Sequence, residues 1–182
     1  IRMQVLIPLA SGCEEMEAVI LIDVLRRAGW QVTMAALESG VVEASRGVRL
    51  IADQIWDEIE MDQQEALILP GGLAGTQQLC AHAGVQAALR QFSREGRWVG
   101  SICAAALALH EADLLKGKRF TCYPGVELEL PEDIQPIDER VVVDGKLITS
   151  QGPGTAFECA LAWIEACESL EKAAAIRSEL LV

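Results

Sequence analysis

The chain has 182 residues, of which 51% are hydrophobic and 23% charged, and a formal net charge of −12. This length and composition predict a single globular domain over residues 1–182 and exclude an intrinsically disordered chain. The negative charge argues against direct nucleic-acid binding and anionic membranes, and the chain shows neither a membrane-spanning apolar stretch nor a signal segment, so we expect a cytoplasmic protein.

The first half of the chain alternates between short apolar runs and helical periodicity. Residues 3–9 form an apolar, β-rich run that predicts a buried strand. Residues 14–28 repeat apolar side chains at helical spacing, and Gly29 supplies a helix stop. Further strands are predicted at 31–36 and at 66–69, where a Pro-Gly-Gly turn follows, and 48–51 is less regular.

The second half continues this alternation. Helical sequence runs from about residue 77 to residue 94, and residues 98–102 predict a strand that ends directly before Cys103. The run 104–110 is rich in Ala and Leu and favours a helix. The remaining predicted elements are strands near 119–123, 140–144 and 146–149, a helix from a Thr155 cap to about 167, and a final helix over 171–181.

Strands that alternate with helices indicate an α/β fold with a mainly parallel sheet covered on both faces. Ligands of such folds bind beyond the carboxyl ends of the strands. Three of the predicted glycine-containing turns lie at such ends, so we expect the functional site there.

Cys103 is the strongest candidate for a reactive residue. It stands between a predicted buried strand and a predicted helix, where free helix N–H groups and the helix dipole favour the thiolate form. The thiolate is the nucleophilic form of cysteine. A merely buried cysteine is the competing interpretation of the same position.

The other cysteines and the known motifs give little support for a cofactor. Six cysteines occur without any C-x-x-C spacing, so we predict free thiols and no metal site. Neither a dinucleotide-binding glycine motif nor a P-loop is present, so no organic cofactor is predicted. The cysteines are residues 13, 80, 103, 122, 159 and 167.

A nucleophilic cysteine needs an acid or base partner. Neither His82 nor His110 has a sequence context that places it beside Cys103, and we assign both to structural or solvated roles. Acidic residues at positions 14, 15 and 17 cluster at the start of the first predicted helix, where the helix dipole alone explains at least two of them. One of the three can reach the sulfur if the first strand lies near the strand before Cys103.

Five short blocks, in order over nearly the whole chain, make the sequence resemble the ThiJ/PfpI superfamily and, within it, the branch of parkinsonism-associated deglycases. Each block alone is weak, but together they are very specific. The blocks are GCEEME at 12–17, DVLRRAG at 23–29, LPGG at 69–72, SICA at 101–104 and TSQGPGT at 149–155.

The resemblance implies a flavodoxin-like, class I glutamine amidotransferase-like three-layer sandwich that forms a homodimer and needs no metal or organic cofactor. It implies that Cys103 is the nucleophile and that Glu17 hydrogen-bonds its sulfur. It also implies that backbone N–H groups of Gly72 and Ala104 line an oxyanion pocket. Further pocket positions carried over from the family are Gly71, Tyr123, Arg27, Arg46 and Pro153, although surface salt bridges explain the two arginines equally well.

One position departs from the family pattern and lowers the expectation of hydrolysis. Tyr123 stands where many relatives carry a histidine near the cysteine, and a cysteine amidase or protease needs that base. The leading hypothesis is therefore a glutathione-independent glyoxalase or deglycase that acts on methylglyoxal, glyoxal, or glycated protein or nucleotide. The alternatives are a redox-sensing stress protein or chaperone that responds through Cys103, and a cysteine amidase with an unrecognised base.

Overall fold

The computed structural model describes residues 2–182, which form nine strands and six α-helices. The strands are β1 (Gln4–Leu9), β2 (Gln31–Ala36), β3 (Val41–Glu43), β4 (Arg49–Ile51), β5 (Gln54–Ile55), β6 (Ala66–Leu69), β7 (Trp98–Ile102), β8 (Val141–Asp144) and β9 (Leu147–Ser150). The α-helices are α1 (Glu15–Arg27), α2 (Leu73–Ala81), α3 (Ala83–Arg94), α4 (Ala106–Glu111), α5 (Ala156–Cys167) and α6 (Leu170–Leu180).

Seven strands form one sheet in the order β5-β2-β1-β6-β7-β9-β8. All neighbours pair in parallel except β8 and β9, which form an antiparallel pair at one edge. Strands β3 and β4 form a separate antiparallel pair. The order matters for function because β6 lies between β1 and β7, so the turns after these three strands meet at one end of the sheet.

Helices cover both faces of the sheet, as a mainly parallel sheet requires. Alternate strand residues point to opposite faces, so Val5 and Ile7 join the core beneath α1 and α5, whereas Leu6 joins the core beneath α3 and α4. The α/β three-layer sandwich that the sequence predicts is confirmed. None of the helices within residues 2–182 combines the length and the apolar character that crossing a bilayer requires.

Two sequence-based predictions of secondary structure are wrong. The continuous helix predicted over 77–94 is two helices, because His82 has an extended backbone and its Nδ1 accepts the Val85 N–H to start the second helix. The predicted strand at 119–123 forms no strand pairing, because the Thr121 N–H donates to the Thr149 hydroxyl rather than to a strand carbonyl. Thr155 does precede α5, but its hydroxyl bonds to Gly152 instead of capping the helix.

Candidate active site

Cys103 lies on a strained turn at the carboxyl end of β7. Its φ angle is +62°, a left-handed conformation that a residue with a Cβ rarely adopts. The residue opens a 3₁₀ turn, Cys103–Ala105, that leads into α4, and its carbonyl accepts the Tyr123 N–H at 3.3 Å. The turn leaves the side chain half-buried, so the competing interpretation of a fully buried cysteine is not met.

Glu17 approaches Cys103 from α1, across the turn that follows β6. A Cβ added to Gly71 would lie 2.5 Å from the Cys103 Cβ and 2.7 Å from Glu17 Oε1. The two side chains therefore meet over the Cα of Gly71, at the place that a Cβ would occupy, and only glycine leaves room for both. Glu17 is completely buried, and neither of its carboxyl oxygens makes a hydrogen bond of normal geometry within residues 2–182.

The surroundings of Glu17 favour its protonated form. Burial, reinforced by the charge of Glu14, raises the pKa of the Glu17 carboxyl from 4.5 to about 8, against smaller opposing effects of Cys103 and the Gly71 backbone. The Glu17 carboxyl therefore retains its proton at neutral pH. A protonated carboxyl beside a sulfur is a hydrogen-bond donor.

The sequence predicts that the turn lowers the pKa of Cys103, but in the structure this pKa is raised. Burial and then the negative charge of Glu17 raise the pKa of the Cys103 thiol to about 12, and the backbone N–H groups of Gly72 and Ala104 act in the opposite direction. The repulsion by Glu17 exists only while that carboxyl is ionised. When Glu17 is protonated, its O–H stabilises the thiolate together with the two backbone N–H groups. Thiolate formation here therefore depends on the acid more than on the turn.

Gly72 and Ala104, which the family resemblance assigns to an oxyanion pocket, both act on Cys103 through their backbones. Both lie next to the sulfur with their backbone N–H groups, as their effect on the Cys103 pKa shows. Gly72 has a φ of +87°, and a Cβ there would lie 2.4 Å from the Gly12 carbonyl oxygen and 2.6 Å from the Glu14 nitrogen. The turns after β1 and β6 are thus packed backbone against backbone, which fixes the direction of the Gly72 N–H.

Tyr123 and Pro153 also lie at the edge of this site. Tyr123 is 49% exposed, and its backbone N–H bonds to the Cys103 carbonyl. Its ring lies against Gly152, where an added Cβ would be 3.0 Å from Tyr123 Cδ2, and Pro153 is the next residue. The structure therefore brings Tyr123 next to the cysteine turn, and Pro153 follows the glycine that the Tyr123 ring contacts.

The side chains of Arg27 and Arg46 make their contacts away from Cys103 and Glu17. Arg27 bonds to Asp23 and Glu179, and it lines a groove of about 580 Å³ along α1 with apolar side chains. The Arg46 guanidinium reaches only the Ser45 carbonyl, at 3.4 Å, among the residues that the structure describes. Within one chain, the surface salt-bridge interpretation fits Arg27, and neither arginine is a partner of the Cys103–Glu17 pair.

Neither histidine supplies the missing base. His82 packs edge-on against Trp56 and caps α3, and His110 lies in the last turn of α4. Neither affects the pKa of Cys103. Across the described residues 2–182, no group of three or more His, Cys, Asp or Glu side chains is arranged to hold a metal ion.

Two neighbours of Glu17 are not assigned by the sequence-based predictions. The Glu14 carboxylate accepts the Glu17 N–H at 2.8 Å, and Cys159 of α5 lies close enough for the Glu17 charge to raise its pKa. The three-residue spacing of Glu14 and Glu17 at a helix start is a capping pattern that could have revealed the first contact. Nothing in the sequence marks the second, because it depends on the packing of α5 against α1.

A half-buried cysteine on a strained strand-to-helix turn, at the carboxyl end of a parallel sheet and beside a buried acid, defines the nucleophile-elbow class of α/β proteins. The sequence model of the DJ-1/PfpI family matches residues 3–166 of the chain. The chain belongs to this family.

Individual relatives agree with this assignment. The chain is 42% identical to Protein DJ-1 homolog B of Arabidopsis thaliana over 98% of its own length, but it spans only 41% of that protein. It is 40% identical to Protein dj-1beta of Drosophila melanogaster, with 97% of the chain and 96% of the relative covered. A protein of Pyrococcus abyssi named a deglycase is 33% identical, with 85% of the chain and 93% of the relative covered.

Solved structures show the same similarity in three dimensions. The crystal structure of Drosophila melanogaster DJ-1beta superposes with a TM-score of 0.95 at 38% identity, covering 100% of this chain and 99% of that one. The structure of Toxoplasma gondii DJ-1 in an oxidised form superposes with a TM-score of 0.93 at 36% identity, covering 98% of both chains.

Proposed function

We propose that the protein is a glutathione-independent glyoxalase or deglycase in which Cys103 is the nucleophile and Glu17 the acid–base residue. Its substrates are methylglyoxal, glyoxal or early glycation adducts. The single observation that supports this most is the placement of a buried carboxyl that retains its proton beside the Cys103 side chain, where both pack over the Cα of Gly71. The name of the Pyrococcus relative, a deglycase, agrees with this chemistry.

The first proposed step is addition of the Cys103 thiolate to the aldehyde carbon of methylglyoxal. The C–S bond forms, and the carbonyl oxygen takes a proton from Glu17, which gives a neutral hemithioacetal. The N–H groups of Gly72 and Ala104 lie next to the sulfur, where they can stabilise the oxyanion that develops. Glu17 becomes a carboxylate in this step, which prepares it to act as a base.

The second step moves one proton between the two carbons of the substrate. The Glu17 carboxylate removes the hydrogen from the carbon bonded to sulfur and returns it to the neighbouring ketone carbon. The hydroxyl proton of the hemithioacetal moves to the former ketone oxygen at the same time, so that a thioester of lactate forms. Water then cleaves the thioester, releasing lactate and the Cys103 thiol. Transfer of the thiol proton to the Glu17 carboxylate restores the starting thiolate and acid. The sum is addition of one water to methylglyoxal, so no external oxidant or reductant is consumed; glyoxal gives glycolate by the same route.

Purified protein with methylglyoxal tests this proposal. Cys103→Ser and Glu17→Gln should each reduce lactate formation by at least about 100-fold, because each removes one of the two reacting groups. Cys167→Ser, at the far end of α5, is a matched thiol control and should retain wild-type turnover. Turnover that survives Cys103→Ser would eliminate the enzymatic assignment.

A redox-sensing role is the second candidate, because Cys103 is half-buried rather than sealed in the core. Hydrogen peroxide oxidises the Cys103 thiolate to sulfenate and a second equivalent oxidises sulfenate to sulfinate, with water as the reduced product each time. The Toxoplasma relative has been solved in a form described as oxidised. Peptide mass mapping after mild peroxide treatment should show that Cys103 is oxidised before Cys80 or Cys167, which are also half-buried. Preferential oxidation of Cys80 or Cys167 would contradict the redox-sensing role.

We also propose a homodimer formed through the α1 side of the molecule. The groove there is lined by apolar side chains, including Val19 at 45% exposure and Ile51 at 78%. Light scattering after size exclusion should give about twice the chain mass of 19.7 kDa. Ile51→Glu should shift the protein to the monomer mass, because it places a charge in the proposed interface.

A further inference from the structure

Glu14 makes two backbone contacts that connect the acid to the turn beside the thiol. Its carboxylate Oε2 accepts the Glu17 N–H at 2.8 Å. Its own N–H donates to the Gly71 carbonyl at 2.9 Å. Glu14 is only 9% exposed, so both contacts are shielded from water. One residue therefore binds both the start of α1 and the glycine over which Glu17 and Cys103 meet.

Among the described residues 2–182, no cation faces Glu17 from the elements around it. The ionisable groups near it are Cys13 and Glu14 on its own segment, Cys103 from the turn after β7 and Cys159 from α5. Glu15, the other acid at this helix start, points away and accepts hydrogen bonds from the Ser45 hydroxyl and the Arg46 N–H. Glu14 is thus the carboxylate that acts on Glu17 at close range.

We infer that Glu14 is a positioning residue for the Cys103–Glu17 pair, which it holds against the Gly71 turn while placing a second buried carboxylate beside Glu17. The charge of Glu14 opposes ionisation of Glu17 and so preserves the proton that Glu17 donates. The catalytic consequence rests on the proposed function. The protonation of Glu17 does not, and it can be measured without any turnover.

The test measures the intensity of the infrared carbonyl band of the protonated Glu17 carboxyl as a function of pH. The band is isolated by subtracting the spectrum of the same protein with Glu17→Gln. Glu14→Gln keeps an acceptor for the Glu17 N–H but removes the charge, so the midpoint of the band should fall by about one pH unit. Glu14→Asp keeps the charge and should leave the midpoint close to the wild-type value. Glu15→Gln is the matched control at the neighbouring acid and should leave it unchanged.

A midpoint that does not move in Glu14→Gln would overturn the inference and reduce Glu14 to a helix cap. Should Glu14→Gln fail to fold, the pair Glu14→Asp and Glu14→Asn repeats the comparison with two good N-caps of equal size. The pH profile of methylglyoxal turnover is recorded in parallel. A shifted band without any turnover would refute the proposed function alone, whereas turnover with an unshifted band would refute only the role of Glu14.

Discussion

Replacing Glu17 with Gln should change how the stability of the protein depends on pH. The Glu17 carboxyl has a pKa of 4.5 in the unfolded chain and about 8 in the folded protein. Between these values the folded state holds a proton that the unfolded state has lost, so the free energy of unfolding decreases as pH rises. The stabilisation is complete below pH 4.5 and lost as pH rises through about 8. Because Glu17 is fully buried, solvent screening does not diminish the effect.

The size of this contribution follows from the shift. Between pH 5 and pH 8 the linkage amounts to about 3–4 kcal/mol of lost unfolding free energy. Gln cannot ionise, so the Glu17→Gln protein should lack this part of the pH dependence, while the titrating groups that lie away from Glu17 contribute equally to both proteins. Urea unfolding of each protein at pH 5 and at pH 8 gives the difference directly. Equal pH dependence in the two proteins would show that the folded Glu17 carboxyl titrates normally, and the proposed proton donor would be lost with it.

Two further predictions concern the backbone of the site. Gly71→Ala should destabilise the protein by about 2–3 kcal/mol and abolish turnover, because the new Cβ would overlap Cys103 and Glu17. Gly154→Ala is the control: no atoms lie within 4 Å of the Cβ it adds, so thermal unfolding and turnover should remain nearly unchanged. Cys103→Gly should be more stable than Cys103→Ser by about 1–2 kcal/mol, because glycine adopts the +62° φ angle without strain. Equal melting temperatures for these two variants would indicate that the turn relaxes when the cysteine is lost.

The strands near the site are predictable from the sequence because each is a short apolar run with a clear turn after it. The predicted strands at 31–36, 66–69 and 98–102 have the bounds that the structure shows. The helix break at His82 is not predictable in this way, because it depends on one backbone angle and one side-chain cap. The segment 119–123 has a β-like composition, but a side-chain hydroxyl takes the place of a strand partner there.

The chemistry of the site is harder to predict than its location. The position of Cys103 after a strand and before a helix is visible in the sequence, and so is the cluster of acids at 14–17. The direction of the Cys103 pKa is not, because burial outweighs the helix start and because the sign of the Glu17 effect depends on whether that acid carries its proton. Both depend on tertiary packing that no local pattern encodes.

The unusual pKa of Cys103 should therefore disappear when the turn is taken out of the fold. In a peptide of residues 98–111, the strand and the following helix sequence are retained, but the Gly71 turn and Glu17 are absent. The thiol loses both its burial and its acidic neighbour, so its pKa should return close to the ordinary value of 9.0. Thiolate absorbance against pH measures this for the peptide and, in a variant lacking the other five cysteines, for the folded protein. If peptide and protein titrate alike, the packing of three turns at the end of the sheet does not control this sulfur.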